Sequence, residues 1–236
     1  MICQFPLQGC GNIIYDSERY AKCRLAVGCG KILDKNCVLR VAADEFASKV
    51  RKLSSPLEIA IVGSVAGGDP YPDDLDLAII ISNTDEIATI AKYARQMSRH
   101  YHGWEVFLFD CDLSLMGMIC HRRECPGQSV ECYDPGCGEP PHVKVNPEFE
   151  YDEKIFLTSP INVLYTSFET SRLLARKDEL GIVESRSYPV LEDITIECVR
   201  CGETFVFTGA EQKWYLKRGL NQPKRCPDCI AQDYEG

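Results

Sequence analysis

Residues 57–81 read "LEIAIVGSVAGGDPYPDDLDLAIII", and no other stretch restricts the fold as tightly. Two apolar runs of strand length, at 57–63 and 75–81, flank a loop rich in Gly and Pro. Each run is short and bounded by turn residues, so both read as buried strands. Three aspartates, Asp73, Asp74 and Asp76, crowd the mouth of the second strand. Residues i and i+2 of a strand share a face. Asp74 and Asp76 therefore project together, Leu75 and Leu77 point the other way, and Asp73 drops out of the pair. Two carboxylates on one face repel unless a cation lies between them, and hard oxygen ligands at this spacing suit Mg²⁺. The competing reading, three acids that solvate a strand end, suits a lone Asp-x-Asp better than this one.

The neighbouring segments strengthen the metal reading. Residues 41–53 predict a helix, with Ala42, Phe46, Val50 and Leu53 on one face. A second helix is expected after Asn83 or Thr84, with Ile87, Ile90, Ala91, Ala94 and Met97 as its apolar side and Gly103 as its stop. "WEVFLFD" at 104–110 reads as a third strand with Glu105 near its start. If it lies beside the second strand, Glu105 completes a three-carboxylate site. Asp110 is a rival acid, but its odd spacing from Glu105 turns it to the opposite face. Gly63 lets a phosphate approach the backbone closely, and Ser64 and the adjoining N–H groups can donate to it. A further helix is expected from Ser159-Pro160 to Gly181, followed by a linker over 181–193.

A Gly-Ser turn, an Asp-x-Asp about ten residues on and a third acid on the next strand resemble the signature of the DNA polymerase β-like nucleotidyltransferase superfamily. The resemblance covers roughly residues 41–110. It implies an α+β fold, a small mixed sheet with flanking helices. It also implies transfer of a nucleoside monophosphate from a nucleoside triphosphate to an acceptor, with two Mg²⁺ ions. By position, Asp74, Asp76 and Glu105 match the catalytic metal-binding carboxylates, and Gly63 and Ser64 the nucleotide-contacting turn. Gly67 stands where small members carry an arginine. A second reading follows from that difference, a catalytically weak or inactive relative that acts as a zinc-dependent nucleic-acid or protein binding module.

Fourteen cysteines bear on the rest of the chain. The N-terminus "MICQFPLQGC" lacks the charged start and apolar core of a signal peptide, and no apolar run approaches the ~20 residues of a membrane span. A cytoplasmic protein with no membrane association is therefore expected, and in that setting closely spaced cysteines suggest zinc rather than disulfides. Cys198-x2-Cys201 and Cys226-x2-Cys229, twenty-four residues apart, frame a structural four-thiolate zinc site, and the segment resembles a zinc ribbon. Cys120, Cys125, Cys132 and Cys137 suggest a zinc-organised insertion in which His121 or His142 could replace one thiolate. Cys3, Cys10, Cys23 and Cys29 make a third candidate set. Cys37 and Cys111 are left as ordinary buried thiols. The expected organisation is an N-terminal zinc module (1–38), a core (39–185) with a zinc-binding insertion at about 120–142, and a C-terminal zinc ribbon (190–236). A redox protein built on Cys-x-x-Cys pairs is a weaker alternative.

Net charge is −9, unlike that of a protein devoted to gripping nucleic acid. Residues 194–229 depart from the average, with six Lys/Arg against four acids. Trp214 and Tyr215 lie among those cations. This mixture suits a single-strand or RNA contact, and equally the packed core and solvated face of a small zinc domain.

Overall fold

The computed structural model describes residues 35–98, 103–127, 130–183 and 188–232. The chain divides into two compact units, 1–187 and 188–236.

The first unit opens with helix α1 (Lys35–Val50). Val38, Leu39, Ala42, Ala43, Phe46, Ala47 and Val50 recur at helical spacing, and all are buried. The helix begins earlier than the expected residue 41, because Val38 and Leu39 extend the same apolar stripe. Six strands follow: β1 (Pro56–Val62), β2 (Leu75–Ile81), β3 (Trp104–Phe109), β4 (Leu115–Ile119), β5 (Val143–Lys144) and β6 (Ile161–Thr166). They form one sheet in the order β5-β4-β3-β2-β1-β6. Among the described strands only β2 and β3 pair in parallel, and helix α2 (Ile87–Ser98) provides the crossover this requires. The other pairs are antiparallel. The result is a mixed sheet with flanking helices, of the α+β class.

Alternation along the central strands divides the core in two. Leu75, Leu77, Ile79 and Ile81 join Ile59, Ile61, Val106 and Leu108 on the face covered by α1 and α2. Ala78 and Ile80 join Ala60, Val62, Phe107 and Phe109 on the other face. That second face is closed by Leu157 of helix α3 (Glu153–Leu157) and Leu173 of helix α4 (Arg172–Glu179). Full burial of a Leu, Ile or Phe side chain stabilises by about 1.5–3 kcal/mol, so both layers anchor β2.

The helix expected from 159 to 180 is not one element. "INVLYT" forms β6 against the free edge of β1, and the helix begins only at Arg172 behind the N-cap Ser171. Ile, Val, Tyr and Thr favour a pleated, half-buried surface. Glu58, fully buried within β1, draws the following helix into place. Its carboxylate accepts from Ser171 Oγ (2.6 Å), Arg172 N (2.7 Å), Leu173 N (3.3 Å) and Thr166 Oγ1 (3.3 Å). The first-turn N–H groups of α4 thus satisfy carboxyl oxygens that water cannot reach. The β4–β5 pair was not expected from sequence either. Gly117 (φ +135°) makes it possible: a Cβ there would lie 2.7 Å from Val143 Cγ1 and 2.8 Å from the Lys144 carbonyl.

The second unit contains a hairpin, β7 (Ile194–Glu197) with β8 (Thr204–Phe207), and helices α5 (Gly209–Lys217) and α6 (Pro227–Ala231). Thr208 and Glu211 form a reciprocal capping box at the start of α5. The buried centre is Cys198, Cys226 and Cys229, with Phe205 packed beside them. So small an apolar core needs a staple to hold it. No described helix is long and apolar enough to cross a membrane.

Candidate active site and metal centre

The acids collect at one end of the sheet. Asp76 is the register partner of Val62 on β1 and of Glu105 on β3. The Leu75 N–H donates to the Gly103 carbonyl (2.9 Å), which brings Asp74 alongside the start of β3. Asp76 and Glu105 stand on the face that carries Val62 and Phe107 deeper in the sheet. Asp74 and Asp76 are half-buried, whereas Glu105 and Asp73 are exposed. Burial, followed by the charges of Asp74 and Glu105, pushes the Asp76 carboxyl up to about 7. Among the described residues no donor bonds that carboxylate. The oxygens of the three acids do not all lie within 4.8 Å of one another. Asp110 is engaged elsewhere: its Oδ1 accepts the N–H groups of Asp112 and Ser114, both at 2.9 Å.

Gly63 closes the other side. Its φ of +76° belongs to the left-handed region that favours glycine, and a Cβ there would lie 3.2 Å from Asp76 Oδ2. Its N–H donates to the Pro160 carbonyl (2.9 Å). The chain then turns on itself, with the N–H groups of Gly67, Gly68 and Asp69 donating to the carbonyls of Gly63, Val65 and Ser64. The N–H groups of Ser64, Val65 and Ala66 have no acceptor among the described residues. Three successive donors beside three carboxylates make a place where a cation and an anion could sit together.

Sequence reading missed the residues that hold this loop from behind. Asn36 Nδ2 donates to the carbonyls of Val65 (3.1 Å) and Asp69 (2.9 Å). Arg40 Nη2 donates to those of Val65 (2.7 Å) and Ala66 (2.9 Å), and Arg40 Nε to Asn36 Oδ1 (2.8 Å). Lys35 Nζ donates to the Asp73 carbonyl (2.8 Å). The available signal was an Asn and an Arg four apart on a helix otherwise committed to the core.

In the second unit, the Sγ atoms of Cys198, Cys201, Cys226 and Cys229 all lie within 4.8 Å of one another. The Cys201 and Cys226 sulfurs are 3.8 Å apart, the edge of about 3.8 Å that tetrahedral Zn–S bonds of about 2.3 Å produce. The donor set therefore fits zinc. The Cys226 backbone N–H, aided by those of Cys201 and Arg200, holds the Cys198 thiol down at about 6 against its burial. Sharing of hydrogens with Cys226, together with burial and the other two sulfurs, pushes Cys229 up to about 12. The ligands do not come from two hairpin knuckles, as a zinc ribbon would supply them. The second pair sits at the start of α6, where Cys226 is the N-cap and Pro227 sets the first helical turn.

The insertion is less gathered. Cys125 Sγ accepts the His142 N–H (2.9 Å), and Cys132 Sγ accepts from Arg122 Nη1 (3.0 Å). Cys120 is buried at the end of β4, its N–H donating to the His142 carbonyl (2.8 Å). Among the described residues only the C-terminal four cysteines bring three or more ligand atoms within 4.8 Å of one another. His121 Nε2 and His142 Nδ1 are buried with no partner among the described residues, and burial, then the Arg95 charge, lowers both imidazoles. Cys111, expected to be buried, is exposed, because it lies in the β3–β4 turn. Cys3, Cys10, Cys23, Cys29 and the Cys37 side chain lie outside the described residues.

A family described as a probable treble clef domain matches residues 192–235. A treble clef with its four cysteines this close supports zinc binding by the C-terminal unit. No curated protein and no solved structure matches the chain.

Proposed function

We propose that the first unit is a metal-dependent nucleotidyltransferase, moving a nucleoside monophosphate from a nucleoside triphosphate to an acceptor hydroxyl or phosphate. One observation carries the reading: a carboxylate raised to about 7, by burial first and then by two neighbouring acids, lies against a glycine turn in which three N–H groups have no acceptor among the described residues. Asp74, Asp76 and Glu105 would hold Mg²⁺, which supplies positive charge to the reacting phosphate oxygens and to the attacking hydroxyl. The N–H groups of Ser64, Val65 and Ala66 bind the remaining phosphate oxygens, and Gly63 leaves room for them. The Ser64 hydroxyl adds a donor at the same edge. Incubation with labelled nucleoside triphosphates, Mg²⁺ and mixed acceptors tests the reading. Transfer by the wild type and its loss in Asp76→Ala are expected; equal transfer by both proteins would overturn the site.

A second reading, binding without catalysis, is favoured by the surface of α5. The Arg218 guanidinium lies 3.9 Å from the Trp214 ring centroid, and Trp214 is exposed beside Lys213 and Lys217. Residues 212–225 carry five cations and no acid. A ring so placed stacks on unpaired bases while the cations meet phosphates. Salt-sensitive binding of single-stranded RNA, weakened in Trp214→Ala, with no Mg²⁺-dependent triphosphate binding, would favour this reading over the first.

The insertion is read as a further zinc site drawn from Cys120, Cys125, Cys132, Cys137 and His142, on the N–H···S contact at Cys125 and the unpartnered His142 nitrogen. Zinc content lower by one equivalent in Cys125→Ser is the expected result, and unchanged content would remove the site.

A further inference from the structure

We propose that Asn36 and Arg40 of α1 are positioning residues that fix the direction of the peptide groups in the Gly63–Asp69 turn. The inference rests on the nucleotidyltransferase reading given above and adds residues that neither the sequence motif nor the family match assigns.

The turn must present N–H groups, not carbonyls, to an anion. A peptide group in a glycine-rich loop can rotate and exchange one for the other, since few side chains hold it. The carbonyls of Gly63, Ser64, Val65, Ala66 and Asp69 each have a donor. The carbonyls of Gly63 and Ser64 are taken by N–H groups within the turn. Val65 O accepts from Gly68 N, Asn36 Nδ2 and Arg40 Nη2. Ala66 O accepts from Arg40 Nη2, and Asp69 O from Asn36 Nδ2. Arg40 Nε in turn fixes the amide of Asn36, so that its oxygen faces the guanidinium and its nitrogen the loop. Asn36 is buried and Arg40 half-buried, so water competes little for these bonds. With every carbonyl from Gly63 to Ala66 held, the N–H groups of Ser64, Val65 and Ala66 are what remains to face a ligand.

This arrangement bears on the arginine that Gly67 replaces. A cation still serves the turn, but from behind, through two carbonyls of the loop. It aligns peptide dipoles rather than touching phosphate. Lys35, through the Asp73 carbonyl, ties the far end of the loop to the same helix, next to Asp74.

The test uses the full-length protein, nonhydrolysable analogues of the four nucleoside triphosphates with Mg²⁺ in calorimetry, and Mn²⁺ titration as a separate measure of the carboxylate site. Arg40→Met keeps the aliphatic stem and removes the donors. Arg40→Lys retains the charge and guards against a variant that does not fold. The expected result is affinity about ten- to a hundredfold weaker for the best-bound analogue in Arg40→Met, from the loss of charge-assisted bonds to buried carbonyls. Mn²⁺ affinity should be unchanged, and Arg40→Lys should recover part of the loss. Unchanged triphosphate affinity in Arg40→Met would overturn the inference, as would an equal loss of Mn²⁺ and triphosphate in both variants, which marks a merely structural role. If the wild type binds Mn²⁺ and none of the analogues, the functional reading itself fails and takes this inference with it.

Discussion

Asp76→Asn should make the metal-free protein more stable at pH 8 while abolishing its response to Mg²⁺. The Asp76 carboxyl is raised from 3.8 to about 7, by burial first and then by Asp74 and Glu105. Between those values the folded protein holds a proton that the unfolded chain has released. Stability therefore falls as pH rises from about 4 to about 7, and the whole penalty is present above that range. A displacement of about three pH units corresponds to at most about 4 kcal/mol at 1.36 kcal/mol per unit. Glu105 is exposed and Asp74 half-buried, so solvent screening brings the realised penalty nearer to about 2 kcal/mol. Asparagine keeps the shape and carries no charge. In a unit of this size, about 2 kcal/mol raises Tm by roughly 4–8 °C. Thermal melts of both proteins at pH 5 and pH 8, with and without Mg²⁺, measure the difference. The zinc unit is common to both, so its own sensitivity to acid cancels. The variant should gain most at pH 8 and little at pH 5, and Mg²⁺ should raise the wild-type Tm alone. Parallel pH profiles, or a variant less stable than wild type at pH 8, would refute the electrostatic account of the site.

Other consequences are open to measurement. Gly63→Ala should cost about 1–2 kcal/mol for its left-handed backbone and weaken Mg²⁺ binding, because the new Cβ would meet Asp76 Oδ2 at 3.2 Å; denaturant melts and metal titration read the two effects separately. Glu58→Ala should cost about 3 kcal/mol by stranding the N–H groups of α4, seen as a lower urea midpoint, while Glu58→Gln recovers part of the loss. Cys226→Ser, or treatment with a strong chelator, should unfold residues 188–232 and release zinc, and circular dichroism should show the β7–β8 signal lost. Trp214→Ala should leave zinc content unchanged.

The parts of this molecule that could be read in the sequence are those where one physical requirement acts alone. The buried strands β1, β2 and β3 must be apolar along most of their length, and their residues declare it. Cys198, Cys201, Cys226 and Cys229 declare themselves by spacing, although spacing alone could not distinguish a second hairpin knuckle from a helix start. Pro227 immediately after Cys226 was the available clue. The 161–179 segment misled because its apolar residues fit a helical face nearly as well as a strand; pairing with β1, more than a hundred residues away in sequence, decided the matter. Asn36, Arg40 and Glu58 were missed for a related reason. Each is a polar residue with at least two main-chain partners, and no pattern of side chains marks a carbonyl or N–H that will need a partner. The insertion resisted reading because its cysteine gaps are irregular and its one close pairing, β4 with β5, depends on the absence of a side chain at Gly117.

The bonds from Glu58 to the first turn of α4 span up to 115 residues of sequence. During synthesis, β1 and the Gly63 that follows it leave the ribosome long before the segment that will sit beside them. Until residues near 173 have emerged, β1 has an uncovered edge and a carboxylate with nothing to receive, and the Gly63 N–H lacks the Pro160 carbonyl. The cleft therefore cannot take its final form on a nascent chain that stops within the cysteine insertion. A chain truncated before α4 should keep the residues of the carboxylate site and lack the contacts that hold β1 from the far side.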